Sequence, residues 1–101
     1  MSYAFSSIGG LLSATKTMNL SIKSPTLIVG STSNIGLNLM LESPLVKIVD
    51  SRITVGFDAH FKTDHFICKN SIIEAKDIYL PAWEFVDSSN CQLIGNIHYQ
   101  Q

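Results

Sequence analysis

Ser51-Arg52-Ile53-Thr54-Val55 reads as serine, any residue, apolar, any residue, apolar. This is the period-two alternation of a half-buried strand, opened by a turn-forming serine. The same form stands at Ser33-Asn34-Ile35-Gly36-Leu37, Ser71-Ile72-Ile73-Glu74-Ala75 and Ser89-Asn90-Cys91-Gln92-Leu93. Ser33, Ser51, Ser71 and Ser89 follow one another at nearly equal steps, so the chain repeats a short unit in which these serines are expected to stack in one line. A repeat on that scale decides the architecture before any other feature does.

Two further segments recur on the same period. An apolar stretch precedes each serine: Leu27-Ile28-Val29, Leu45-Val46-Lys47-Ile48-Val49, Phe66-Ile67-Cys68 and Trp83-Glu84-Phe85-Val86. Turn formers stand before them at Ser24-Pro25, Ser43-Pro44, Thr63-Asp64 and Pro81. Another apolar stretch follows each serine motif: Leu39-Met40-Leu41, Phe57-Asp58-Ala59-His60-Phe61, Ile78-Tyr79-Leu80 and Ile97-His98-Tyr99. Each unit is therefore two or three short strands with corners between them. One such unit cannot bury its own apolar side, whereas stacked units pair equivalent strands and enclose a common core.

The expected fold is all-β, a single-domain parallel β-solenoid over 1–101, with about five coils of about 18–20 residues. Residues 24–99 hold the clear coils, and 1–23 form a degenerate first coil or a cap in which Leu11-Leu12 sit. Lys16 falls at an inward position there, which marks that coil as atypical. An antiparallel β-sandwich or barrel is the alternative, since pairs of its evenly spaced strands mimic a period of the same length. The absence of any Asn-Gly or Asp-Gly hairpin signal favours the solenoid.

Composition narrows the function classes. Seven Lys and Arg against eight Asp and Glu leave no basic surface, so nucleic acid is not an expected partner. With 46% hydrophobic and 15% charged residues, the chain does not have the composition of a disordered one. No apolar run approaches the roughly 20 residues of a transmembrane segment. Met1 to Gly10 holds no Lys or Arg, so a signal-peptide start is missing and cytoplasmic residence is the expectation. Cys68 and Cys91 fit neither a disulfide framework nor a zinc pattern, and are read as two buried thiols.

Several motifs tempt a chemical reading. Thr26 to Gly36, strand-like and then glycine-bearing, looks like the phosphate loop of extended short-chain dehydrogenases, with Asp50 standing where a ribose-binding acid would. Ser33 replaces its middle glycine, and Leu37 to Ser43 is too short for the helix that should follow. Nucleotide binding is therefore the weakest of the functional alternatives. Asp58, His60, Asp64, His65 and Cys68 are metal-ligating types crowded together, but in no standard order. Glu74, Asp77 and Glu84 could pair as acid and base, though a short solenoid offers them no deep cleft. No catalytic, metal or cofactor residue is assigned, no cofactor is expected, and an enzyme is the less favoured class. The aromatic-rich stretch leaves Tyr79, Trp83, His60 and His65 as candidate contacts for a small molecule or carbohydrate.

On period and on serine and asparagine corners, residues 24–99 resemble small right-handed parallel β-helix proteins, among them the bactofilin-type filament formers. The resemblance implies a non-enzymatic scaffold that polymerises end to end. The last coil points the same way, because only Gln100 and Gln101 follow it and its edge is expected to lie open. Cys91, Leu93, Ile97 and Tyr99 are the candidate contacts of a homo-oligomer.

Overall fold

The structure is a computed structural model that describes the backbone of residues 6–9, 13–14 and 17–100, with side chains for 17–100. The strands are β1 (Ser6–Gly9), β2 (Ser13–Ala14), β3 (Met18–Ser21), β4 (Thr26–Val29), β5 (Thr32–Ile35), β6 (Leu39–Glu42) and β7 (Leu45–Val49). They continue with β8 (Arg52–Val55), β9 (Asp58–Lys62), β10 (His65–Lys69), β11 (Ile72–Leu80), β12 (Val86–Ser89) and β13 (Gln92–Tyr99), with one 3-10 turn at Trp83–Phe85. No described helix is long and apolar enough to cross a membrane.

Every strand pairing among the described residues is parallel, and each joins a strand to its equivalent about one period away. One sheet runs β1-β4-β7-β10-β12, and the second carries the remaining strands. The protein is a parallel β-solenoid, and the antiparallel alternative is excluded. The winding amounts to about four turns rather than the expected five coils. The expected cap at Leu11-Leu12 and the inward Lys16 lie outside the described residues, while β1, β2 and β3 pair with β4, β5 and β6.

Register corrects the serine line. In the first sheet Thr26 pairs with Val46, His65 with Leu45 and Phe66 with Val86, so that sheet advances by the same step at every turn. The second sheet places Ser33 beside Ile53, and the first places Ser89 beside Lys69, so neither stacks on Ser51 or Ser71. The serines in line are Ser31, Ser51 and Ser71. The Ser51 hydroxyl accepts the Ser31 N–H at 3.1 Å and donates to the Val49 carbonyl at 2.8 Å. Likewise the Ser71 hydroxyl accepts the Ser51 N–H at 3.0 Å and donates to the Lys69 carbonyl at 2.8 Å. These serines are buried, and the ladder satisfies backbone groups that the corner takes out of the sheets.

The residue before each corner position makes the bend. Gly30, Asp50, Asn70 and Asn90 all have positive φ, between 49° and 61°. Glycine adopts that conformation freely, and Asn and Asp tolerate it better than other residues. Asn90 Nδ2 also donates to Asn70 Oδ1 at 2.8 Å, which ties successive corners together. A second corner needs glycine for space. A Cβ on Gly56 would collide with the Gly36 carbonyl oxygen one turn away.

Strand alternation then fills the interior. Val46 and Phe66 stack in one inward line, Ile28, Ile48 and Cys68 in another, and Leu41, Phe61 and Leu80 in a third. All are at most 2% exposed, and the rings of Phe61 and Phe66 meet at 4.9 Å between centroids. Burying one such side chain is worth about 1.5–3 kcal/mol. Near the last turns, one corner vanishes. The nine-residue β11 spans the space of both β8 and β9, and a bulge between Glu74 and Asp77 replaces the Gly56 corner.

Candidate functional site

The lateral face built by β3, β6, β9, β11 and β13 carries a ladder of outward side chains. Register stacks Asn19, Met40, His60, Tyr79 and His98, one per strand. Tyr79 lies nearly parallel to His98, at 4.7 Å between centroids and 17° between planes. His60 sits on its other side at 5.3 Å, tilted by 40°. Parallel pairing produces this column directly, because equivalent side chains stand about 4.8 Å apart. The next outward line holds Asp58, Asp77 and Asn96.

A groove of 460 Å³ runs along this face, lined by Asn38, Leu39, Met40, Asp58, His60 and Tyr79 among others. Asn38 shapes one wall, since its Oδ1 accepts the Asp58 N–H at 3.1 Å. The Nε2 of His60 is buried and has no hydrogen-bond partner. Leaving a buried polar atom unpaired costs about 1–3 kcal/mol. Further along the ladder, His98 Nε2 lies 2.9 Å from Asp77 Oδ1. That hydrogen bond holds the Asp77 carboxyl below its ordinary pKa; partial desolvation opposes the shift and Asn96 adds to it.

The candidate contacts separate into two places. His60 and Tyr79 share the groove. His65 instead packs edge-on against Phe85, at 5.1 Å between centroids, beside the 3-10 turn that carries Trp83. Trp83 is 72% exposed. The sequence singled out neither Met40 nor His98. The only signal for them was the register, and it drifts: the step from Asn19 to Met40 is longer than that from Met40 to His60, and the step from Tyr79 to His98 is shorter than both.

One expectation is overturned, and two motifs already discounted in the sequence take other forms. Cys68 and Cys91 are not free thiols but a disulfide, with Cα atoms 5.9 Å apart. Cys91 occupies the corner position that Ser31, Ser51 and Ser71 hold in earlier turns, so its side chain points inward, toward Cys68. Their separation of 23 in sequence is close to one turn of the solenoid, and only that match makes them neighbours. Thr26 to Gly36 forms strand, corner and strand, and the segment beyond it is β6 rather than a helix, so no phosphate loop exists. No group of three or more His, Cys, Asp or Glu able to hold a metal forms among the described residues. Alternation sends Cys68 inward and His65 to an exposed corner, which disperses the crowded stretch.

The oligomer candidates all lie on the last turn. Cys91, Leu93 and Ile97 pack half-buried against the core, and Tyr99 is 47% exposed, as is Ile94 at 45% on the same strand. Among the described strands, β13 pairs with β11 and β12 pairs with β10, leaving one long edge of each unpaired. What the fold defines is a protein class, the parallel β-solenoids. No protein-family model, no curated protein and no solved structure matches this chain, so nothing ties it to the bactofilins in particular.

Proposed function

We propose that the protein is a non-enzymatic structural or interaction protein that self-associates through the edge of its last turn. The observation that carries this reading is the open edge of β12 and β13, with Leu93 and Ile97 half-buried beneath it and Ile94 and Tyr99 exposed on it. Such an edge is a template for a further strand. The occupant best fitted to it is a coil of a second copy, because every described pairing in the solenoid is parallel and repeats at a nearly constant step. A head-to-tail contact of this type is heterologous and extends into filaments unless it closes.

The test is sedimentation of the 101-residue chain over a wide concentration range. Mass is expected to rise with concentration and to fall back to the monomer in Leu93→Lys/Ile97→Lys. A wild-type chain that stays monomeric throughout removes the proposal. The disulfide bears on location, since such bonds persist in oxidising compartments and are uncommon in the reducing cytoplasm. It favours an extracytoplasmic setting over the one expected from sequence. Small-molecule binding is a second reading, favoured by the groove that joins His60 and Tyr79.

A further inference from the structure

The lateral groove has a one-sided chemistry. Leu39, Met40 and the Tyr79 ring supply apolar surface, and the Asn38 amide and the His60 imidazole supply polar groups. Asp58 is the one charged side chain among the described lining residues. The cation that follows it on β9, Lys62, is already engaged with Glu42 at 3.6 Å. A pocket with an apolar body whose described lining holds one carboxylate and no Lys or Arg selects for charge as well as shape.

We propose that this groove binds a small organic cation, an ammonium group carried on an apolar or aromatic body. This deepens the second reading above and rests on it, while being independent of self-association. The carboxylate of Asp58 provides the counter-charge. The Tyr79 ring and the Met40 thioether provide a surface for the apolar body, and an aromatic ring also attracts a cation. The volume of 460 Å³ lies in the range of small-molecule sites and exceeds what a single ring with an aminomethyl group needs. A carboxylate-bearing ligand of the same shape meets Asp58 with no Lys or Arg among the described lining residues to receive it. A hydrated metal ion gains nothing from the apolar lining.

Three probes of one shape isolate the charge: benzylammonium, benzyl alcohol and benzoate. Each is titrated into the full chain at neutral pH and followed by amide and methyl NMR shifts. Benzylammonium is expected to perturb Met40, His60 and Tyr79 and to bind about tenfold more tightly than benzoate, with benzyl alcohol between them. Asp58→Asn, which keeps the side-chain volume and leaves the backbone bond to Asn38 in place, is expected to abolish that difference while benzyl alcohol binds as before. Met40→Ala is expected to weaken all three. A native-like spectrum of each variant, recorded first, separates lost binding from lost fold. The proposal is overturned if no probe perturbs the groove, if benzoate binds as tightly as benzylammonium, or if Asp58→Asn leaves the preference intact. If all three bind equally well, small-molecule binding survives and the cation assignment does not. If none binds, both fall.

Discussion

The middle turn from Leu45 to Lys62 and the last turn from Val86 to Tyr99 follow the same template but are held by different means. In the middle turn Val46, Ile48, Ile53, Ala59 and Phe61 are all at most 1% exposed, with a neighbouring turn on either side. In the last turn Val86, Leu93 and Ile97 are only half-buried, because one side of each lacks a neighbour among the described residues. A solenoid turn draws its stability from its interfaces, so a turn with one interface is the weaker unit. The Cys68–Cys91 bond lies across that weak interface. A covalent link thus stands where the last turn is only half-buried, and polar serine ladders suffice where burial is complete.

The strongest challenge to this contrast is Phe66→Ala. Phe66 is fully buried between Val46 and Val86 and packs against Phe61. Its truncation is expected to lower unfolding stability by about 3–5 kcal/mol in denaturant titrations. A loss confined to the last turn would show that the turns are not cooperatively coupled.

Reduction of the disulfide by a dithiol comes next. Cys68 and Cys91 are 23 apart in sequence, and for a loop of that size chain-entropy arguments give about 3 kcal/mol. Hydrogen exchange should accelerate most in β12 and β13 and least in β7, β8 and β9. Uniform acceleration across all turns would contradict the contrast between a stapled and a buried turn.

A smaller effect tests the serine register. Ser71→Ala removes a hydroxyl that serves both Ser51 and Lys69, and should cost about 1–3 kcal/mol by thermal or chemical unfolding. Ser89→Ala, at an exposed position off the ladder, should stay within about 0.5 kcal/mol. Equal costs would mean that the ladder is not what holds the corner.

The smallest effect concerns pH at the last turn. Asp77 has a lowered pKa because of its hydrogen bond to His98, so this contact contributes stability above the carboxyl's unfolded pKa. The contribution is lost as pH falls through the folded value. Carboxyl NMR titration should find the Asp77 pKa below its ordinary value in the native chain and closer to it in His98→Ala. No change on substitution would sever the link between the bulge in β11 and the last turn.

Much of the fold was readable in the residues. Ile53 and Val55, or Ile73 and Ala75, alternate as buried strand positions do, and the corners carry Ser, Asn, Asp, Pro and Gly. The register was harder to read. A period-two pattern looks the same after a shift of two positions, so Ser33 and Ser89 passed for members of the Ser51 line. The left-handed corner residues Gly30, Asp50, Asn70 and Asn90 remove that ambiguity, since each marks the bend of its own turn. The site was readable only in part. His60 and Tyr79 stood out by residue type, but Asp58 was read with a metal cluster that the alternation disperses, and Met40 and His98 were read only as members of strand segments.

By itself the sequence determined an all-β chain of short alternating strands on a regular repeat, because alternation and corner chemistry are local properties. Only the tertiary structure decided which residues are neighbours across turns. The pairing of Cys68 with Cys91, the column of His60, Tyr79 and His98, and the groove beside Asp58 all depend on register. Register is set by backbone hydrogen bonds between segments a full turn apart, and by a bulge in β11 that resets the count. The corner residues Gly30, Asp50, Asn70 and Asn90 mark that count for the first sheet, but no local pattern marks the shift that the bulge introduces in the second.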